Sequence, residues 1–241
     1  MRALLLAAGL GTRLRPLTDT TPKCLVPILG RPLLAYWLDL LFEGGIERVL
    51  VNTHHRAEDV RAFVARSAWR ARVDLVHEDQ LMGTAGTVRA NAAFFAGQAA
   101  LVAHADNLTR FDVRAFIRRH HDRPPGVQIT MMTFDTTTPE SCGIVEEDAR
   151  GVVVGLHEKV PDPPGRRANA AVYIFEPSVV EFLATLGPLA RDLSTDILPR
   201  FLGRIQSFHN TDYHRDIGTP ESLRAAEIEF RALQPDLGTR R

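Results

Sequence analysis

The sequence predicts an α/β protein with a Rossmann-like, three-layer αβα arrangement around a mixed, mainly parallel central sheet. Apolar runs of strand length recur at 3–8, 49–53, 73–77 and 100–105, and segments with helical periodicity separate them. These runs are mainly apolar rather than alternating with polar residues, which is typical of parallel strands buried on both faces. At 241 residues the chain is long enough to bury a substantial core as one domain.

The first helical segment carries its apolar side chains on one face and stops at a pair of glycines, Gly44 and Gly45, which is a normal helix ending. The apolar face of that segment consists of Leu33, Leu34, Trp37, Leu40 and Leu41. The next helical segment contains Val60, Phe63 and Val64. Strands and helices that alternate in this way indicate right-handed βαβ units.

After about residue 127 the pattern changes, because apolar residues now alternate along 127–133 and short strand-like pieces follow at 143–145, 152–156 and 171–175. This pattern predicts a partly antiparallel extension of the sheet. Short helices are expected at 179–186 and 194–201. A last helix is expected to run from an N-cap at Thr219, with Pro220 in its first turn, to about residue 233. The tail 234–241 is expected to be frayed.

Composition excludes several classes of protein. Lys plus Arg and Asp plus Glu both number 29, so no global basic field indicates a nucleic-acid partner. No apolar stretch reaches membrane length, and no membrane partner is expected. The two cysteines, Cys24 and Cys142, are too few for a disulfide framework and are interpreted as ordinary small side chains in a reducing cytoplasm.

The turn after the first strand is the first candidate phosphate site. It runs through Ala7, Ala8, Gly9, Gly11 and Thr12, and its glycines permit positive φ angles and leave backbone N–H groups uncovered. Arg13 and Lys23 add cations that can hold polyphosphate oxygens and stabilise charge on the phosphorus being transferred. The third glycine of a dinucleotide fingerprint and the Gly-Lys-Ser/Thr of a Walker loop are both missing. The alternative is a simple tight turn between a strand and a helix.

The stretch from Gly9 to Arg13, followed by Pro22-Lys23, resembles the signature of sugar-1-phosphate nucleotidylyltransferases, G-x-G-T-R-L-x-P-L-T with a later P-K. Similar motifs continue to Asp216 and beyond. The resemblance is greatest to bacterial guanylyltransferases that act on mannose or manno-heptose 1-phosphate. It implies the nucleotide-diphospho-sugar transferase fold over 1–241, with a nucleotide-binding part at about 1–125 and a sugar-phosphate-binding part at about 126–233.

The resemblance also implies where the base and the metal bind. The segment 78–86 resembles the family's E-x-x-x-L-G-T-A-G, which meets the nucleobase, so Glu78, Gln80, Gly83 and Thr84 are predicted nucleotide-binding residues. A loop and helix start is the alternative interpretation. Asp106 ends a parallel strand, where ligands bind. Paired with Asp216 in Asp-Ile-Gly-Thr-Pro, it is predicted to hold Mg²⁺ or another divalent cation. Arg13, Lys23 and Asp106 are the predicted catalytic residues.

Four residues are predicted to bind the sugar phosphate because they match further family motifs: Gly143, Glu158, Lys159 and Asn169. A carboxylate and an amide suit sugar hydroxyls, and an ammonium suits the phosphate. An exposed charged pair and a polar strand end are the alternative. The sequence departs from the family where Ala105 and Ala171 replace Gly and where Val160 replaces Pro. The substitution at Ala105 puts substrate fit in question.

Nine histidines show no zinc-ligand spacing and are interpreted as surface or core groups, although His104 and His157 lie close to the proposed sites. The expected reaction is an in-line displacement at the α-phosphorus of a nucleoside triphosphate, GTP favoured, by a sugar 1-phosphate. Uridylyl, thymidylyl or cytidylyl transfer, a noncatalytic nucleotide-sugar sensor and a Rossmann-type oxidoreductase are the alternatives. The family also suggests a homodimer and a place in surface polysaccharide synthesis.

Overall fold

The structure is a computed structural model that describes residues 1–233; the predicted frayed tail at 234–241 lies outside this range. The strands are β1 (Arg2–Leu6), β2 (Pro27–Ile28), β3 (Arg31–Pro32), β4 (Arg48–Thr53), β5 (Val73–His77), β6 (Ala100–His104), β7 (Asn107–Arg110), β8 (Ile129–Asp135), β9 (Gly143–Glu147), β10 (Val153–Glu158), β11 (Arg167–Phe175), β12 (Ile205–His209) and β13 (Tyr213–Asp216). The α-helices are α1 (Leu17–Thr20), α2 (Leu33–Glu43), α3 (Ala57–Arg66), α4 (Thr84–Ala90), α5 (Val113–His121), α6 (Pro177–Thr185) and α7 (Pro220–Ala232).

Nine strands form one sheet that crosses both halves of the chain. Its main order is β10-β9-β11-β6-β1-β4-β5, with β8 paired to β11 and β12 paired to β8. β1 lies parallel to β4 and β6, and β4 lies parallel to β5, whereas β11 runs antiparallel to β6. This arrangement confirms the predicted α/β fold with a mixed, mainly parallel sheet.

The two faces of the sheet carry separate cores, which makes the fold three-layered. On β1, Ala3 and Leu5 pack against one face with Trp37 and Leu38 of α2, while Leu4 and Leu6 pack against the other. Each fully buried aliphatic side chain of this kind contributes about 1.5–3 kcal/mol. Burial on both faces explains why β1 and β6 are mainly apolar.

The second half differs from the prediction in two details. The predicted helix 194–201 is a π-helical turn, Leu193–Ile197, followed by a 3₁₀ turn, Leu198–Phe201. Pro199 has no N–H to continue an α-helical ladder, which accounts for the change. The strand-like piece expected at 171–175 is longer than predicted, since β11 starts at Arg167, which pairs with Asp135 of β8.

The ends of α7 agree with the prediction, since Thr219 caps the helix through a bond from the N–H of Ser222 to its hydroxyl. No helix within residues 1–233 combines the length and the apolar character that crossing a membrane requires.

Candidate active site

The two aspartates predicted to share a metal lie side by side. The cause is a short two-stranded sheet in which β7 pairs antiparallel with β13 and places Asn107 opposite Asp216. The Nζ of Lys23 is 2.8 Å from Oδ2 of Asp106 and 3.3 Å from Oδ1 of Asp216. Residues far apart in the sequence therefore surround one cation, although their metal-binding role remains a prediction.

A buried tryptophan fixes this turn. The Nε1–H of Trp37 on α2 donates to the carbonyl of Asn107 at 2.8 Å, and Trp37 is 1% exposed. The side chains of Asp106 and Asp216 remain 39% and 53% exposed, whereas that of Lys23 is 7% exposed. Both carboxylates are therefore accessible to a ligand while the lysine between them is held in the protein interior.

The charges at this cluster act on one another. Burial tends to raise the pKa of Asp106, but the Lys23 ammonium, the His104 ring and the hydrogen bonds to the carboxylate outweigh burial and hold that pKa below its usual range. Asp106 is therefore ionised at neutral pH. Mg²⁺ is commonly bound by one or two protein carboxylates, with substrate phosphates as further ligands. Two carboxylates close enough to share one cation suit this kind of site.

Arg13 reaches the same cluster from the phosphate turn. Its Nη2 lies 3.7 Å from Oδ2 of Asp216, and its side chain is 68% exposed. Gly218 lies beneath this pair, because a Cβ built there would be 2.8 Å from both Arg13 Nη2 and Asp216 Oδ2. The glycine of the Asp-Ile-Gly-Thr-Pro motif thus leaves room for the guanidinium beside the carboxylate.

The phosphate turn owes its shape to Gly11. Its φ is +64°, and a Cβ there would lie 2.8 Å from Cγ2 of Thr18. The Thr18 hydroxyl donates to the Gly11 carbonyl at 2.8 Å and closes the turn. Gly9 is exposed, and no heavy atom of residues 1–233 other than its chain neighbours lies within 4 Å of a hypothetical Cβ there, so its backbone faces open space. Thr12 begins a 3₁₀ turn and is exposed.

A cavity of about 290 Å³ opens at the carboxyl end of β1, β4 and β6. Most of the predicted nucleotide-binding residues line it: Ala7, Ala8, Gly9, Lys23, Glu78, Gly83 and Thr84, together with Asp106. Gly11, Thr12, Arg13 and the exposed Gln80 are not part of its lining. The cavity also contains Asn52, Leu81, Thr87 and His104, which sequence reasoning did not select as binding residues.

Glu78 is the most buried charged group of the cavity wall, at 3% exposed. Its Oε1 accepts hydrogen bonds from Asn52 Nδ2 at 2.8 Å and from the Thr87 hydroxyl at 2.5 Å. Its Oε2 accepts from the Met82 N–H at 3.1 Å. The carboxylate is thus held in place by three protein donors, and its predicted contact with the base stays a prediction.

Gly83 is needed because another loop comes close to it. Its φ is +77°, and a Cβ there would lie 2.4 Å from the carbonyl oxygen of Arg191. That carbonyl accepts from the N–H of Ala85 at 2.9 Å. The Thr84 hydroxyl accepts from the N–H of Leu193 at 2.8 Å rather than capping α4. The segment before the π-helical turn therefore holds the predicted base loop, which is the part of segment 78–86 that precedes α4, in place through hydrogen bonds.

Three of the four predicted sugar-phosphate residues lie together where β9, β10 and β11 meet. Gly143 is paired with Glu158, and a Cβ on Gly143 would be 2.5 Å from Glu158 Oε2 and 3.9 Å from the Asn169 Cβ. Asn169 Nδ2 donates to the Tyr173 hydroxyl at 2.8 Å, and Asn169 Oδ1 accepts from the Ala171 N–H at 2.9 Å. Because Gly143 has no side chain, the Glu158 carboxylate has room to lie next to its backbone.

Lys159 follows this group with φ +51°, and its side chain is 67% exposed, with Nζ 3.6 Å from Glu158 Oε1. The sequence contains lysine at only two positions, 23 and 159, and all its remaining Lys/Arg residues are arginines. Both lysines belong to the predicted phosphate-binding residues.

The two histidines close to the proposed sites differ in position. The ring of His104 lines the cavity, and its Nε2 is buried without a hydrogen-bond partner among residues 1–233. His157 bonds to Glu146 at 2.7 Å, on the opposite side of β10 from Glu158 because neighbouring side chains of a strand alternate.

No cluster of three or more His, Cys, Asp or Glu side chains suited to a metal occurs in the described part of the chain. Burial raises the pKa of the Cys24 thiol to about 12, as for an inert core cysteine.

The sequence matches the family described as "Nucleotidyl transferase" over residues 2–232. It is 31% identical to a mannose-1-phosphate guanylyltransferase of Mycobacterium tuberculosis, over 97% of this chain and 66% of the relative. It is 29% identical to a UTP–glucose-1-phosphate uridylyltransferase of Synechocystis, over 90% of this chain and 60% of the relative. The chain therefore spans about two thirds or less of the length of these relatives.

The fold is also similar to that of a crystal structure described as a putative glucose-1-phosphate thymidylyltransferase from Bacillus anthracis. The TM-score is 0.85 at 22% identity, covering 96% of this chain and 95% of the other. This similarity supports the assignment of the fold.

Proposed function

Because this chain belongs to the nucleotidyl transferase family, we propose that it transfers a nucleoside monophosphate from a nucleoside triphosphate to a sugar 1-phosphate and releases pyrophosphate. The observation that carries the proposal is the cluster of Asp106, Asp216 and Lys23, with Arg13 beside it. Two members of this cluster, Asp106 and Lys23, line the same cavity as the glycine-containing turn. Such an arrangement suits charge stabilisation at a phosphorus centre.

The proposal divides the chain into two functional parts within one domain. Residues 1–125 bind the triphosphate, through the turn at Ala7 to Arg13, through Lys23 and through the loop with Glu78, Gln80, Gly83 and Thr84. Residues 126–233 bind the sugar phosphate through Gly143, Glu158, Lys159 and Asn169. The geometric support is that most of the first set lines one cavity and that Glu158 and Asn169 both lie next to Gly143.

Asp106 and Asp216 would hold the divalent cation, with Mg²⁺ favoured. Their carboxylates already converge on one positive group, the Lys23 ammonium, so their charge and spacing fit a hard cation. When bound, such an ion supplies neutralisation of charge between the two phosphates. A phosphate monoester is anionic near neutral pH, so the reaction needs no protein base, and Arg13, Lys23 and Lys159 hold and align the phosphate oxygens.

We propose GTP and a mannose-type or manno-heptose 1-phosphate as the favoured substrates. Support comes from the 31% identity of this chain to a mannose-1-phosphate guanylyltransferase. Uridylyl or thymidylyl transfer is the second candidate, since relatives with those names match 90% and 78% of this chain. A cytoplasmic location, a homodimer and a role in polysaccharide precursor synthesis complete the proposal.

The direct test incubates the purified protein with Mg²⁺, each nucleoside triphosphate in turn and a panel of sugar 1-phosphates, while pyrophosphate release is measured. We expect release with GTP and mannose or manno-heptose 1-phosphate above every other pair. Release only with UTP or dTTP would replace the guanylyl assignment. Release from no pair would contradict catalysis and favour a nucleotide-sugar sensor. Light scattering of the same sample tests the dimer.

The two lysines allow a binding test that does not depend on turnover. Reductive methylation with ¹³C-formaldehyde labels only lysine and N-terminal amines, so the protein carries at most the signals of Lys23, Lys159 and Met1. Lys159, which is 67% exposed, should shift on addition of a sugar 1-phosphate. A Lys159→Arg variant assigns the signal, and the free sugar without phosphate is the matched control. An unmoved Lys159 signal would contradict its role.

A further inference from the structure

The geometry points to Asn52 as a positioning residue that joins the phosphate turn to the predicted base loop and thereby supports nucleotide binding. Asn52 is the penultimate residue of β4, is 3% exposed and lines the cavity. The inference rests on the proposed function, since it assumes that the cavity receives a nucleoside triphosphate. It assigns Asn52 an indirect role, through the groups that it holds.

Asn52 bonds to both sides of the cavity at once. Its Oδ1 accepts from the N–H of Ala7 at 2.6 Å, where the chain leaves β1 and enters the phosphate turn. Its Nδ2 donates to Oε1 of Glu78 at 2.8 Å, where the chain leaves β5 and enters the base loop. β4 lies between β1 and β5 in the sheet, so this one side chain spans the carboxyl ends of three neighbouring strands.

An amide is well suited to both bonds. A backbone N–H needs an acceptor and a carboxylate needs a donor, and the asparagine side chain offers both from one rigid plane. Aspartate keeps the acceptor but places a second carboxylate against Glu78. Alanine leaves a buried N–H and a buried carboxylate each without that partner, which is costly away from water.

The other contacts of Glu78 show how far the connection extends. The carboxylate also accepts from the Thr87 hydroxyl and from the Met82 N–H, which tie it to α4 and to the turn before α4. Asn52 thus fixes the peptide before Ala8 and Gly9 and, through Glu78, the loop that carries Gly83. None of its hydrogen bonds reaches the predicted sugar-phosphate residues. A change at Asn52 should therefore weaken nucleotide binding and leave sugar-phosphate binding almost unchanged.

The experiment is a double-mutant cycle in which the donor and the charge exchange places. Asn52→Asp puts two carboxylates face to face, and Glu78→Gln alone changes the charge of the loop. In the double variant the amide at 78 can donate to the carboxylate at 52, which still accepts from Ala7. The dissociation constant of GTP carrying a fluorescent N-methylanthraniloyl group is measured for all four proteins, with and without Mg²⁺.

We expect Asn52→Asp to weaken GTP binding about 10-fold in the unaltered chain, which corresponds to about 1.4 kcal/mol. In the Glu78→Gln chain the same change should cost less than about 2-fold. This difference does not depend on whether Glu78 itself contacts the base. The KM for the sugar 1-phosphate should stay within about 2-fold in every variant, because the predicted sugar-phosphate residues are not bonded to Asn52.

Thr53→Val is the matched control, since Thr53 is the next residue of β4, is 4% exposed and donates to the carbonyl of Val76 at 3.2 Å, outside the cavity lining. It should lower the unfolding midpoint slightly without changing GTP affinity. Equal effects of Asn52→Asp in both backgrounds, no effect in either, or equal loss of GTP and sugar-phosphate binding would overturn the inference. GTP binding without pyrophosphate release would contradict only the proposed catalysis.

Discussion

Replacement of Ala171 by glycine should stabilise the protein, although it removes a side chain. Ala171 lies within β11 with φ +54°, between Asn169 and Tyr173, where the pairing with β8 shifts register. A left-handed conformation costs a residue with a Cβ about 1–2 kcal/mol. Glycine avoids that cost but loses about 0.5–1 kcal/mol because its unfolded chain is more flexible. The methyl group is partly buried, and its loss costs about 0.4 kcal/mol more, so the middle of these ranges gives an expected net gain of about 0.3 kcal/mol.

The gain is measured by urea unfolding followed by circular dichroism, with an unchanged m value as the sign that the unfolded state is the same. In a chain of this size it corresponds to a rise in melting temperature of about 1 °C. Ala170→Gly is the matched control, because Ala170 is 1% exposed and does not have a positive φ. This change should therefore destabilise the protein by about 1–2 kcal/mol. Equal destabilisation by both changes would refute the argument from backbone conformation.

Two further predictions concern pH and the site. Burial lowers the pKa of His120 from 6.5 to about 4, so between these values the unfolded chain binds a proton that the folded chain does not. The contribution of His120 to the free energy of unfolding should be constant above pH 6.5 and fall by up to about 3 kcal/mol as the pH drops to 4. Urea unfolding measured across this pH range should show a less steep loss in His120→Gln. Gly218→Ala should displace Arg13 and Asp216 and lower kcat/KM about 10- to 100-fold. Gly165→Ala should leave kcat/KM unchanged, because within the described part of the chain no atom beyond its neighbours lies within 4 Å of the added Cβ. An unchanged kcat/KM in Gly218→Ala would show that this contact is unimportant.

The fold was predictable where one residue pattern decided the structure. The runs at 49–53 and 73–77 end at the same residues as β4 and β5. For β4 the reason is that the strand is buried almost along its whole length, which favours apolar residues. The N-cap at Thr219 was also visible from local chemistry. The short strands β7 and β13 were not predicted, because Tyr213 and Arg215 pair with residues far away in the sequence. No local pattern reveals such a pairing.

The site was predictable only in part, for the same reason. Glycines and cations in the phosphate turn are recognisable because their spacing is local. That Asp106 and Asp216 meet depended on a resemblance, and its physical cause is the β7–β13 pairing, which places Asn107 opposite Asp216. Asn52 gave no signal as a binding residue because both of its partners belong to other strands.

Pyrophosphate release by Asp216→Ala tests the central claim most directly. The variant should fold with an unfolding midpoint near that of the unaltered protein, because the Asp216 side chain is 53% exposed, and its turnover should fall by about 10³-fold or more. The exposed Asp122, on the C-terminal side of α5, provides the control Asp122→Ala, which should release pyrophosphate at the unaltered rate. Near-normal turnover in Asp216→Ala would contradict the claim that the two aspartates act together at the phosphates.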